Sequence, residues 1–145
     1  MPLKEELRLY IVGFALMLIL GFSCNSIFNH YLVRNGCIVE AVITRKYSGV
    51  RNRQYSDYVY TINGANFSNT TNSSKNASVN DTILVVVSAN KQERSRPISL
   101  YHGHAIIIYD ITERVVVNNM SAEEKRELSD RLMADLRKRY WVKSK

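Results

Sequence analysis

Cysteine is scarce: the chain has two in 145 residues, Cys24 and Cys37. That number cannot make a disulfide framework, so covalent cross-links are not what holds the fold. Cys37 lies in a β-like stretch and reads as a small buried strand residue rather than a reactive thiol. The six glycines form no loop able to cradle a phosphate. No serine sits in an elbow motif, and a histidine could reach Cys37 only through the tertiary fold. The carboxylates are scattered and suggest no acid–base pair. The expectation is a non-enzymatic protein without a cofactor.

The most informative absence is local. Leu9 to Cys24 (LYIVGFALMLILGFSC) contains no charge over sixteen positions, and the apolar character runs on through Ile27 and Phe28. Leu9 to Phe28 is twenty residues, about 30 Å as a helix, which matches the hydrocarbon thickness of a bilayer. The leading reading is a retained signal-anchor helix at about 9–28 within an N-terminal unit, residues 1–33. A cleaved signal peptide is an alternative, because Gly21-Phe22-Ser23 offers small residues at a suitable spacing. A lipoprotein with its lipid on Cys24 is another. Glu5 and Glu6 beside Lys4 and Arg8 spoil the positive leader that both alternatives want, and Gly21 replaces the leucine-like residue of a lipoprotein signal. Gly13 and Gly21 lie near one helix face, which is common in membrane helices by chance. Lys4 and Arg8 precede the segment, and Arg34 is the one Lys or Arg in the fifteen residues after Phe28. That places the N-terminus inside and the remaining domain outside, although including Arg45 and Lys46 reverses the count.

Beyond the apolar segment the chain has strand periodicity, with a small β domain expected over 34–118. Cys37 to Tyr47 is rich in Val, Ile and Thr; 48–54 reads as a loop; Tyr55 to Ile62 is a strand with Tyr58, Tyr60 and Ile62 on one face. Asn63-Gly64 then supplies the two residues a tight hairpin demands, and Ala65 to Ser68 returns. Residues 69–80 (NTTNSSKNASVN) read as a loop. Thr82 to Ser88 is a near-continuous apolar run, as a central strand requires. Residues 89–97 read as a turn ending at Pro97; Ala105 to Ile111 reads as a buried strand with Val115 to Val117 beside it. The expected fold is a small barrel or sandwich of about five to seven antiparallel strands behind a transmembrane helix.

At 119–145 the period changes. Ser121 and Glu124 form a capping box, and Leu128, Leu132, Leu136 and Tyr140 recur every four residues. Acidic residues come early and Arg137, Lys138 and Arg139 late, as the helix dipole prefers. This pattern predicts an amphipathic helix over about 122–140, docked on the domain, on a partner helix or on a membrane surface. The net charge of +7 is uneven: residues 134–145 alone hold five Lys/Arg against one Asp. Basic and aromatic residues together suit a membrane interface, so Arg137, Lys138, Arg139, Tyr140 and Trp141 are candidates for contact with anionic headgroups. The bland reading is a helix packed on the domain with a solvated basic end.

The middle of the chain carries Gly36, Ala41-Val42-Ile43, Tyr58-Val59-Tyr60-Thr61-Ile62-Asn63-Gly64, Asp81-Thr82-Ile83-Leu84-Val85-Val86 and Pro97-Ile98-Ser99. In these it resembles the domain of unknown function 3592 group, short membrane-anchored bacterial proteins. The likeness covers Gly36 to Leu100 and departs at Asn80, where the pattern has Gly, and at Val87-Ser88, where it has an aromatic residue. It implies a small β domain beside a membrane helix in the bacterial envelope and assigns no catalytic residue.

Other constellations are weaker. His102 and His104 flank Gly103 and, on a strand, would face one way as a pair of metal ligands; two surface histidines is the simpler reading. Tyr47, Tyr55, Tyr58 and Tyr60 interleave with Arg45, Lys46, Arg51 and Arg53, a mixture that can bind single-stranded nucleic acid. The membrane segment argues against that partner, and cross-strand tyrosine pairing accounts for the pattern. Asn66, Asn69, Asn72, Asn76, Asn80 and Asn119 each begin an N-x-Ser/Thr triplet, which an Asn/Ser/Thr-rich stretch generates by composition. The sequence therefore favours a membrane-anchored interaction module or accessory subunit of a membrane assembly, with membrane lipid and another envelope protein as partners. A tethered domain for a small ligand or metal is the alternative.

Overall fold

A computed structural model describes residues 3–107 and 113–143. It opens with helix α1, Leu3–Asn35, and closes with helix α2, Ala122–Arg139. Between them run β1 (Gly36–Ser48), β2 (Gln54–Ile62), β3 (Ala65–Asn72), β4 (Thr82–Ser88), β5 (Ser95–Pro97), β6 (Ser99–Tyr101), β7 (His104–Ile106) and β8 (Glu113–Arg114). The fold is thus a long apolar N-terminal helix, a mainly-β domain and a C-terminal helix.

The strands form an antiparallel five-stranded sheet in the order β3-β2-β1-β4-β5 and a three-stranded sheet in the order β7-β6-β8. β1 makes the larger sheet curl. Its first half, Gly36–Val42, pairs with β4, and its second half, from Ala41 to Ser48, pairs with β2. A register shift between Ile43 and Arg45 bends it further, as a bulge does. The curl brings the outer strands together, where Asn69 Nδ2 on β3 donates to Ser95 Oγ on β5 at 3.2 Å.

β4 is buried from Ile83 to Ser88 because it faces two cores. Ile83, Val85 and Val87 point into the curled sheet with Ala41, Ile43, Tyr58 and Tyr60. Leu84 and Val86 point the other way, toward Leu32 and Val33 of α1, Leu132 and Leu136 of α2, and Ile98. A strand covered on both faces reads as a continuous apolar run, which is why its limits were legible. Asn63 and Gly64 have φ of 50° and 80°, as the expected type I′ hairpin requires.

Several expectations need correction. The returning strand does not stop at Ser68; it continues to Asn72 because Asn69 and Thr71 find polar partners on their inner face. Ser95–Pro97, read as turn, is an edge strand, a position where proline's missing N–H is tolerated. The strand expected over Ala105 to Ile111 is described only as His104–Ile106, and 108–112 lie outside the described residues. Val116 bridges to Ile83 of β4, and Glu113–Arg114 pairs with β6. Cys37 is exposed, not buried: β2 begins to pair only at Ala41, so no strand among the described residues flanks β1 there on that side. Cys24 is exposed too.

α2 begins with the expected capping box: Ser121 Oγ accepts from Glu124 N, and Glu124 Oε2 accepts from Ser121 N at 2.7 Å. Leu132, Met133 and Leu136 bury against the domain, with Leu128 and Tyr140 at the margin. Of the three docking sites open to this stripe, the domain itself is the one occupied.

Candidate functional site

α1 is one uninterrupted helix of 33 residues, about 50 Å long. Over Leu7 to Ile27 its large apolar side chains are exposed, among them Leu9 at 66% and Phe22 at 80%. Lys4–Asn35 is long and apolar enough to cross a membrane. Its last two turns are different. Asn29, Leu32 and Val33 are buried by the domain, and β1 begins at Gly36 with no linker.

Four successive residues in those turns touch three separate segments of the chain, 90–96, Ile107 and Tyr140. The ring of Phe28 lies 4.3 Å from the Arg96 guanidinium carbon and 6.0 Å from that of Arg94. Asn29 Nδ2 donates to Ile107 O at 3.1 Å, and its Oδ1 accepts from Arg96 Nη1. His30 Nδ1 bonds to Tyr140 O at 2.7 Å, which fixes a proton on that nitrogen. Tyr31 Oη accepts from Asn90 Nδ2 at 3.3 Å. Successive helical residues point about 100° apart, so these four cover most of the circumference. The domain contacts the helix on several sides at this level, burying Asn29 and leaving Tyr31 exposed. Arg96 reaches lowest, donating to Asn25 Oδ1 at 2.8 Å, one turn nearer the exposed apolar stretch.

Of the five aromatic and basic residues singled out at the C-terminus, Tyr140 bonds directly to α1. Tyr140 Oη donates to Ile107 O and accepts from Ile107 N at 3.3 and 3.2 Å, pinning the end of α2 beside α1. Trp141 N donates to Lys138 O, and Val142 N donates to Arg137 O at 2.8 Å. This is a Schellman termination, which places Trp141 in the left-handed region at φ 52°. Glycine normally takes that position, and a residue with a Cβ costs roughly 1 kcal/mol there. Val142 packs back on the core, while the indole is left 86% exposed. Arg137, Lys138 and Arg139 occupy the last turn just before it.

His102 and His104 are not on one strand. His102 and Gly103, at φ 49° and 78°, are the central pair of a second two-residue hairpin, and His104 begins β7 opposite Tyr101. The shared facing assumed for them does not arise in that turn. His104 Nδ1 lies 3.7 Å from Asp135 Oδ1, and Asp135 Oδ2 accepts from Ala105 N at 2.6 Å. Asp110, the nearest carboxylate in sequence, lies outside the described residues; among those described, no three potential ligands gather around a common point. This corner opens on a groove of about 430 Å³ whose floor includes Leu100, Leu128 and Leu132.

The interleaved tyrosines divide. Tyr47 and Tyr55 pair across β1 and β2 with centroids 5.8 Å apart. Tyr58 and Tyr60 are buried, their hydroxyls bonded to Ser95 Oγ and Gln92 O. Burial raises the Tyr60 pKa.

One polar centre has no signal in the sequence. Arg114 is 3% exposed and donates to Ser99 Oγ, to Thr71 Oγ1 at 3.1 Å and to Asn72 O at 2.9 Å. Burial lowers its pKa. It pins β8 to β3 and β6, and its Nε has no hydrogen-bond partner among the described residues. An arginine before three valines looks like any surface arginine until the tertiary fold is known.

No family model, curated protein or solved structure matches the chain.

Proposed function

We propose that this is a single-pass membrane protein whose small β domain is clamped against the bilayer surface and serves, without catalysis, as an interaction module or accessory subunit of a membrane assembly. One observation carries the reading: α1 exposes apolar side chains for about twenty residues and then enters the domain without a break. A helix apolar on all sides is stable only inside lipid or protein, and the domain covers just its end. The resemblance to the bacterial envelope group fits; the retained anchor is preferred to a cleaved leader or a lipid on Cys24 because Glu5 and Glu6 spoil the positive leader that both alternatives want.

Membrane fractionation of the full chain is the first test. Retention after alkaline extraction and release only by detergent are expected; recovery of the unprocessed chain in the soluble fraction overturns the reading. Cross-linking in the native membrane, then detergent purification, tests the subunit role, with a stoichiometric envelope protein expected. A tethered ligand- or metal-binding domain rests on the groove beside His104 and Asp135. That reading predicts a monomer whose melting temperature rises with a compound or with zinc.

A further inference from the structure

We propose that the ring around residues 28–31 of α1 is a headgroup collar that takes anionic phospholipid, with the Trp141 indole set into the membrane interface. The proposal rests on the anchoring reading and adds the lipid class that the domain meets. Three independent features converge on it.

The first is position. Arg96 bonds to Asn25 and Arg94 faces Phe28, at the point where the exposed apolar stretch ends. A helix spanning about 30 Å of hydrocarbon from Leu9 leaves it near Phe28, which puts these guanidinium groups at headgroup depth. The second is charge. The segments forming the ring bring Lys91, Arg94, Arg96, Arg139 and Lys143, and in the stretch from Ala89 to Arg96 Glu93 is the only acid. The planar guanidinium of arginine binds phosphate oxygens through paired N–H donors, and each cation near an anionic surface favours it about fivefold.

The third feature is Trp141. Outside α1 it is the most exposed large apolar side chain among the described residues, at 86%, and its backbone is held at positive φ. Glycine would relieve the backbone, and a polar residue would relieve the exposure. A chain that keeps an indole there gains nothing from it in water. At a bilayer interface the amphipathic ring is at its preferred depth, one residue beyond the Tyr140 that the helix itself holds.

The chain contains a single tryptophan, so its fluorescence reports this position alone. The full chain is reconstituted into vesicles of zwitterionic phosphatidylcholine, with or without about a third phosphatidylglycerol, and the emission is quenched with lipids brominated near the headgroup end of the acyl chain. The expected result is blue-shifted emission, quenched by shallow bromine and protected from aqueous iodide. Brominated phosphatidylglycerol should quench about two- to fivefold better than brominated phosphatidylcholine at equal mole fraction. In the Arg94→Gln/Lys143→Gln double variant that ratio should fall toward one with the melting temperature unchanged, because both side chains are exposed.

Water-like emission indifferent to brominated lipid overturns the proposal, and so does a blue shift that no lipid quenches, which would mean a protein partner covers the indole. Equal quenching by the two lipids removes the anionic preference. Failure of the chain to float with vesicles of either kind is a different result and sinks the anchoring reading itself.

Discussion

The exposed stretch and the buried end of α1 belong to one continuous helix and have opposite surroundings. From Leu7 to Ile27 the large apolar side chains are more than half exposed; Leu32 and Val33, one or two turns on, are at 1% and 0%. The first half needs only a medium of low polarity, and lipid conforms to whatever shape it presents. The second half meets β4, α2 and Ile98 at fixed positions, where volume and contour decide. Hydropathy therefore identifies surface that must leave water, without saying whether lipid or protein receives it.

Substitutions along the helix put that contrast at risk. The largest effect is expected at its end. A Cβ on Gly36 would collide with Leu32 O and lie 2.8 Å from Val87 O, both backbone atoms that cannot swing away. Gly36→Val should cost at least about 3 kcal/mol and leave the domain unfolded while α1 stays helical, as read by thermal circular dichroism in detergent. Leu32→Ala should cost about 3 kcal/mol in the same assay. Leu18→Ala, in the exposed half, should move domain stability by less than about 0.5 kcal/mol. Equal losses from Leu18 and Leu32 would show that protein, not lipid, covers both halves.

The two ends of α2 repeat the contrast at smaller scale. Ser121→Ala removes one partner of the capping box and should lower stability by about 1 kcal/mol. Trp141→Gly should raise it by roughly 1 kcal/mol in detergent, by releasing the left-handed backbone. Acid gives the smallest effect. A hydrogen bond from Thr70, aided by Arg45, lowers the Asp57 pKa, and bonds from Ser78 N–H and Asn118 lower that of Asp81. A carboxylate with a depressed folded pKa stabilises above its unfolded value, near 3.9, and that contribution fades as pH falls through the folded one. The melting temperature of the domain should be flat from about pH 7 to 5 and drop below about pH 4, while the helicity of α1 persists. Asp57→Asn/Asp81→Asn should flatten the acid limb.

Much of this architecture is written in local pattern. The charge-free stretch, Asn63-Gly64, the run from Thr82 to Ser88 and the Ser121 capping box each declare their element through chemistry within a few residues. The misreadings share a cause. Asn69 and Thr71 sit in a strand because Ser95 and Arg114 lie across from them, and no window along the chain contains both sides of that seam. His102-Gly103 has the same backbone as Asn63-Gly64, but histidine is a weaker mark of positive φ than asparagine. The basic and aromatic composition of the tail was legible in the sequence. That Arg96 and Tyr140 both reach α1 was not, because only the fold brings residues 94–96 and 140 to the end of that helix.

The order in which the ring is supplied constrains biogenesis. The helix it surrounds is synthesised first, whereas Asn90, Arg96, Ile107 and Tyr140 emerge after more than half of the chain has been made. By then the N-terminal segment has had time to enter the bilayer. On the anchoring reading proposed above, the domain closes around a helix already in lipid rather than being folded elsewhere and delivered.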